Sequence, residues 1–448
     1  MHASPAYPNK HRSARRAISA LVIGAFLIGA LPAAGKQAPG DADPAVITTW
    51  NAITVSTITG PIITGGAGKA NAEAFLWFAF VQAAVYNAVV GITGEYELYE
   101  WNAKAPKGAS PEAAAAAAAH RVLMEYFGNN PLTVGNLDAA LAASLGQIPA
   151  GVPKDQGVRY GERAADRLID LRADDGRSVP VAFNPPQPLA PGVWRSTPPG
   201  FAPFFDPWLG QIDPLVLDSL SQFRPGPPPP IASDLYVDEF EEVRDYGAKT
   251  GSLRDDTETE TALFFSDAGI GPLQAALREL VSRPGQVLDI SDSARLFAAV
   301  DLSIADAIGA AWEAKLYYGW WRPVTAILLA DDDGNPETTT VEGWEPLVTT
   351  PPYPDWPSGL CSNIGAVSTA LSRLNANGLV DLKITSVAAG MGGDPITRHY
   401  LDAATIQQDC IDARVWSGIH FRTADEVAIE MGTQVANWAL DHYFAPTK

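Results

Sequence analysis

The chain has 448 residues, 47% hydrophobic and 18% charged, enough for a large core or two packed sub-domains and too apolar for global disorder. Its formal net charge of −20 argues against nucleic-acid or anionic-membrane binding. Two cysteines exclude a disulfide scaffold and any cysteine-rich zinc or iron–sulfur centre.

Residues 1–35 read as a secretory signal peptide. Lys10, Arg12, Arg15 and Arg16 form a basic start, Ala17 to Ala34 is apolar, and Ala33, Ala34 and Gly35 are small enough for cleavage nearby. An N-terminal membrane anchor is the competing reading. Cleavage would take the net charge to −24 and leave His120, His399, His420 and His442. The expected location is secreted or periplasmic. Ala74 to Val90 is nearly all apolar but short for a span and holds Gln82 and Asn87, so it reads as a buried core helix. No stable membrane span is expected after signal removal.

The rest reads as helix after helix. Ser110-Pro111-Glu112 caps and opens an alanine run from Ala113 to Ala119. Residues 132–146 and 153–173 carry apolar positions at helical spacing. Residues 176–231 change character: they hold 15 of the 37 prolines, with Trp194, Phe201, Phe204, Phe205, Trp208 and Leu209 among them. That predicts a long irregular connection packed on the fold. Helices resume near 233–247, 256–266, 272–282, 292–320, 361–375, 403–417 and 424–442, the last with capping-box spacing at Thr423 and Glu426. The fold class is all-α. The expected organisation is a helical half over 45–231, including the Pro-rich connection, and a C-terminal helical bundle over 232–448.

Three segments in the last third carry the chemistry. In Lys315-Leu-Tyr-Tyr-Gly-Trp-Trp-Arg322-Pro323, seven residues are close to two helical turns, which places both cations on one face, with Pro323 ending the helix. Snorkelling bases on a core helix are the plain alternative. In Tyr353-Pro-Asp-Trp-Pro-Ser358-Gly359-Leu360-Cys361, Ser358 and Gly359 open a helix whose free N–H groups can cradle an oxyanion; a simple helix cap is the alternative. In Arg414-Val-Trp-Ser-Gly418-Ile-His420-Phe-Arg422, Gly418 can end a helix and swing His420 back toward Arg414. Together these suggest a tetrahedral-oxyanion pocket. Lys315, Arg322 and Arg414 supply charge, Ser358 and Gly359 neutral donors, and His420 a nitrogen able to bond the central atom. Three clustered cations imply a bound anion.

The order Lys-x6-Arg-Pro, Pro-Ser-Gly, Arg-x5-His resembles the vanadium-dependent haloperoxidase and type 2 phosphatidic-acid phosphatase superfamily. Trp50-Asn51-Ala52, Leu171-Arg-Ala-Asp-Asp-Gly176, Ser221-Gln-Phe-Arg-Pro225 and Gly418-Ile-His420-Phe-Arg422 resemble its bacterial secreted haloperoxidase branch. The resemblance covers roughly residues 45–445. It implies two packed helical bundles with the oxyanion site in the C-terminal four-helix bundle. It implies vanadate as cofactor, phosphate as competing anion, and His420 as the vanadate ligand. The oxygens would be held by Lys315, Arg322, Ser358, Gly359 and Arg414, with His420 and Lys315 catalytic and Lys315 polarising peroxide. Peroxide, halide or an organic acceptor would be substrates. In the phosphatases of the superfamily a phosphate ester is the substrate and the same histidine attacks phosphorus. Tyr353 stands where the family often places a residue near the halide site. A homodimer is compatible with this reading, and nucleic acid is not a partner.

One position departs from the family. Its second motif ends in a histidine that moves protons, and here Leu360 takes that place. General acid–base catalysis is commonly worth about 10²–10⁴-fold, so impaired turnover with anion binding retained is expected. His399 and Asp355 are candidate replacements. The alternatives are an acid phosphatase and a non-enzymatic oxyanion-binding relative. Because both motifs converge on one anion, Cys361 and Cys410 are expected to be neighbours, either bridged or as two buried thiols.

Overall fold

The computed structural model describes residues 42–447 apart from 70, 71, 178, 186, 268 and 387–393. The signal-peptide reading of 1–35 lies outside the described residues. Thirteen α-helices are seen among the described residues. The first five are α1 (Ala45–Thr59), α2 (Glu73–Thr93), α3 (Pro111–Phe127), α4 (Pro131–Gly146) and α5 (Val152–Leu171). After the Pro-rich connection come α6 (Asp234–Tyr246), α7 (Asp256–Asp267), α8 (Ile270–Val281) and α9 (Ile290–Tyr318). The last four are α10 (Pro323–Leu328), α11 (Gly359–Leu374), α12 (Ala403–Trp416) and α13 (Arg422–His442). Two short strands, β1 (Leu382–Ser386) and β2 (Ile396–Tyr400), pair antiparallel with Lys383 opposite His399.

Local chemistry explains the helix starts. The Ser110 side chain accepts from Ala113 N at 3.1 Å, Pro111 fills the first turn, and Glu112 faces the positive end of α3. Ala113 to Ala119 are all buried, and their small side chains let α5 approach closely. A Cβ at Gly161 would lie 2.1 Å from the Ala114 carbonyl oxygen, so that crossing requires glycine. The helix α2 is long and apolar enough to cross a bilayer, and 83% of its most apolar stretch is buried inside the protein.

The 29-residue α9 is the central rod, packed against α2 on one side and α11 and α13 on the other. One continuous apolar core runs from α1 to α13, and a smaller cluster joins α6 and α10 to Trp321, Trp344 and Phe421. The Pro-rich connection has only one short 3-10 turn, Pro207–Gln211, among its described residues. Its end is anchored by Asp306 of α9, whose buried carboxylate accepts the N–H groups of Leu215, Val216 and Leu217 at 2.8, 2.7 and 2.9 Å. Elsewhere it lies across the segments that carry the chemistry. Trp194 N donates to Gly319 O at 2.7 Å, Phe205 N to Pro352 O at 2.9 Å, and Trp356 Nε1 to Gly226 O at 3.0 Å.

Several local expectations need correction. Lys315 and Arg322 do not share a helical stripe. Gly319 adopts the left-handed conformation at φ 56° and ends α9 at Tyr318, so Arg322 follows in extended chain and caps α10. The capping box at Thr423 and Glu426 does not form. Instead Glu239 of α6 accepts from the Thr423 N–H at 2.5 Å and from its hydroxyl. The helices α1 and α10 were not anticipated; α1 has weak apolar periodicity because threonines interrupt it, and α10 has only 6 residues.

Candidate oxyanion site

Three elements meet at the site: the last turn of α9 with the chain to Arg322, the loop Tyr353–Ser358 leading into α11, and the loop between α12 and α13. Each is placed by a chain reversal the sequence supplies. Gly319 turns the chain after Lys315. The prolines at 354 and 357 keep the second loop extended, and Ser358 is the residue before the first turn of α11. Gly418, at φ 77°, follows α12 and returns the chain so that His420 lies buried under Arg322.

Lys315 is fully buried, which removes the snorkelling alternative. Its ammonium donates to the carbonyls of Pro354, Asp355 and Pro357 at 2.7, 2.9 and 2.5 Å. All three of its protons are therefore used in bracing the loop that presents Ser358 and Gly359. The Tyr353 ring lies over both cations, 5.2 Å from Lys315 Nζ and 4.9 Å from the Arg322 guanidinium carbon. Burial, then the nearby Arg322 charge, pushes the Lys315 amine well below its usual range.

Arg322 is also fully buried. Its Nε donates to Tyr353 O at 2.8 Å and its Nη1 to Ile419 O at 2.6 Å, with His420 Nε2 2.9 Å from Nη1. Its Nη2 has no partner, and the same holds for Arg414 Nε, both of them buried, while the buried Ser358 hydroxyl stands beside Asp425 and Cys361. Unpaired buried donors are costly, and a charged one more so. Arg414 is close enough to act on Lys315, Arg322 and His420 electrostatically. Burial first, then Arg322, Arg414 and Lys315, press His420 well below its usual value, so its imidazole is neutral at pH 7.

The cations have acidic neighbours, but burial favours the neutral forms of these, so they offset the positive charge only in part. Two carboxyls that are fully buried stand among them. Asp355 Oδ1 lies 2.7 Å from His420 Nδ1 and 3.7 Å from Arg322 Nη1. Burial pushes Asp355 up to about 7 against the pull of Arg322 and Lys315. Asp425 of α13 accepts from the Cys361 thiol at 3.4 Å, and burial drives it well above the usual carboxylate range. Asp425 did not stand out in the sequence; its only signal was an acid five residues beyond His420.

The other candidates divide. Gly359 is buried, and a Cβ there would come within 2.9 Å of Trp312. Leu360 is half-buried and packs against the main apolar core. His399 sits on β2 against Asp381, 2.6 Å from its Oδ1 and 40% exposed, so it is a surface hydrogen-bond partner of that residue. Arg422 is taken by Glu242 and Asp412 at 2.6 and 2.8 Å. Cys361 and Cys410 are neighbours, with Sγ atoms 3.2 Å apart and both thiols free. Among the described residues no group of three His, Cys, Asp or Glu could hold a metal cation. The donors suit an anion.

The fold is a mostly helical haloperoxidase-type fold. It superposes on a bacterial vanadium-dependent iodoperoxidase with a TM-score of 0.72 at 21% identity, covering 92% of this chain and 99% of the other. A holo-type bacterial vanadium-dependent chloroperoxidase aligns at TM-score 0.67 and 20% identity, covering 90% and 97%. Residues 295–447 match the family model of the VCPO second helical-bundle domain. A vanadium chloroperoxidase of Curvularia inaequalis is 24% identical over 173 residues, 30% of this chain and 28% of that protein's length. The fold is thus shared with bacterial vanadium-dependent haloperoxidases of known structure, and residues 295–447 carry the match to the family model.

Proposed function

We propose that the protein is an extracytoplasmic, vanadate-binding peroxidase that oxidises halide with hydrogen peroxide. The observation that carries this reading is that the three segments bury Arg322 Nη2 and Arg414 Nε without a partner, with Arg322 Nη1 2.9 Å from His420 Nε2. The chemistry of the donor set fits a tetrahedral oxyanion. Arg322 Nη2, Arg414 Nε and the Ser358 hydroxyl would hold its oxygens, and the neutral His420 offers a nitrogen lone pair to the central atom. Vanadate bound there would supply the Lewis acidity that activates peroxide.

The protein's own groups hold the anion and limit the proton transfers. Burial keeps water from the cations and strengthens their hold on an anion. Lys315 shapes the loop through three carbonyls, and polarises no second group in this arrangement. Leu360 cannot take or give a proton, so proton transfer falls to the buried carboxyls or to solvent. Turnover slower than that of a protein with histidine there is the consequence.

A second reading, an oxyanion binder with little turnover, is favoured by the same two observations: the Lys315 protons are already used, and the acid–base position is leucine. Phosphate would then be a ligand. Purified protein incubated with orthovanadate decides between them. Bromide or iodide oxidation that requires vanadate supports the peroxidase. Hydrolysis of a chromogenic phosphate ester inhibited by vanadate would instead make it a phosphatase. Vanadate and phosphate binding with neither activity leaves the binder.

A further inference from the structure

The environment of His420 assigns its single proton. Arg322 Nη1 stands 2.9 Å from His420 Nε2. A guanidinium carries donors only and stays charged, so it favours a lone pair on the facing Nε2, but Nη1 also donates to Ile419 O at 2.6 Å and does not fix the tautomer by itself. On the opposite edge, Nδ1 lies 2.7 Å from Asp355 Oδ1, somewhat off the straight line of a hydrogen bond. A ring with lone pairs at both nitrogens would be an imidazolate, which no group here supports. A ring with protons at both would carry a fourth cation against Arg322, Arg414 and Lys315. The proton therefore sits on Nδ1, against the Asp355 carboxyl.

Asp355 is held there from its backbone. Its N–H donates to Trp320 O at 2.9 Å and its carbonyl accepts from Lys315 at 2.9 Å. Its buried carboxyl also faces the Phe421 N–H and Arg322 Nη1, the latter 3.7 Å from Oδ1. The lysine that braces the loop thus also aims the carboxylate at the histidine.

We propose that Asp355 is a positioning residue that fixes His420 as its Nδ1–H tautomer and so turns an Nε2 lone pair toward the donors of Arg322. The tautomer stands on geometry alone. Its consequence, a nitrogen kept ready for the central atom of an oxyanion, rests on the function proposed above.

The test uses the full chain labelled with ¹⁵N-histidine, read by long-range ¹H–¹⁵N correlation, with the His420 signals identified by their loss in His420→Gln. The expected result for the free wild type is a pyrrole-type Nδ1 and a pyridine-type Nε2. In Asp355→Ala the signals should move toward the Nε2–H form that imidazole prefers in water. In Asp355→Asn, which keeps the volume, an amide oxygen replaces the carboxylate and the Nδ1-bound proton should move upfield. Unchanged His120, His399 and His442 signals report that the variants are folded. A wild-type His420 found as the Nε2–H form overturns the proposal. So do an Nδ1–H form that survives Asp355→Ala unaltered and an Nδ1 proton unmoved in Asp355→Asn. Inorganic phosphate added to the wild type is a separate arm. If it leaves Nε2 unshifted, the anion-site reading fails while the tautomer assignment stands.

Discussion

The tightest point of the site is Gly359, and adding one methyl group there has a calculable cost. A Cβ would lie 2.9 Å from Trp312 Cζ3, 3.4 Å from its Cη2 and 3.8 Å from Ile308 Cδ1. Trp312 has little room to retreat. It is 1% exposed, its Nε1 donates to Phe205 O at 3.1 Å, and its ring packs on Tyr353 with centroids 4.8 Å apart. Two terms oppose each other in Gly359→Ala. Alanine favours the helix over glycine by up to about 1 kcal/mol, while overpacking a rigid core costs about 1–3 kcal/mol. The clash is with an immobile ring, so overpacking wins and the variant should be destabilised by about 1–2 kcal/mol net. The first turn of α11 must shift, and the Ser358 hydroxyl with it. Urea unfolding of Gly359→Ala, Trp312→Phe and the double variant measures this. Phenylalanine lacks the ring atoms that meet the new methyl, so the double variant should be more stable than the two single costs added, by at least about 0.5 kcal/mol. Additive costs, or a Gly359→Ala protein as stable as the wild type, would refute the packing argument.

Leu360→His should raise vanadate-dependent halide oxidation by about 10²–10⁴-fold with oxyanion affinity changed far less; equal turnover in both proteins means that the proton donor lies elsewhere. Cys361 and Cys410, with Sγ atoms 3.2 Å apart, should link on mild oxidation. Non-reducing peptide mapping would then show one intramolecular disulfide, and two thiols persisting through diamide treatment of the folded protein contradict this. Asp301 on α9 is buried, accepts from Gln274 Nε2 at 2.6 Å, and is pushed up to about 7 by burial. Unfolded chain releases that proton near pH 4, so the stability tied to it is present in full below about pH 4 and lost as pH rises through about 7. Asp301→Asn should therefore gain on the wild type by up to about 4 kcal/mol between those limits. Thermal unfolding at pH 4, 6 and 8 measures it, and a constant difference in Tm would show that Asp301 does not titrate this way.

Much of the helical framework was legible because its signals are local. Ser110-Pro111-Glu112 states its own helix start, and Ala74 to Val90 announces a buried rod by apolarity alone. What escaped was long-range. The spacing of Lys315 and Arg322 suggested one helical face, but a left-handed Gly319 between them decides otherwise. The capping pattern at Thr423 was overridden by a carboxylate from α6 that no local pattern reveals. Lys315 was read as an anion ligand by its charge, whereas its three protons go to carbonyls that fold back from residues 354–357. Asp425 and the contact of Asp355 with His420 were hidden for the same reason, since each depends on segments far apart in the chain. Cys361 and Cys410 were the converse case, placed together because both motifs had to meet at one point.

The central claim, that this cluster of buried donors binds a tetrahedral oxyanion, is tested most directly by isothermal titration of the full chain at pH 7 with orthovanadate and with phosphate. The account predicts one site for both anions. Arg414→Ala should weaken it at least about tenfold, the worth of one charge-assisted hydrogen bond, and His420→Ala should weaken vanadate more than phosphate. Absence of binding, or binding that neither substitution alters, would contradict it.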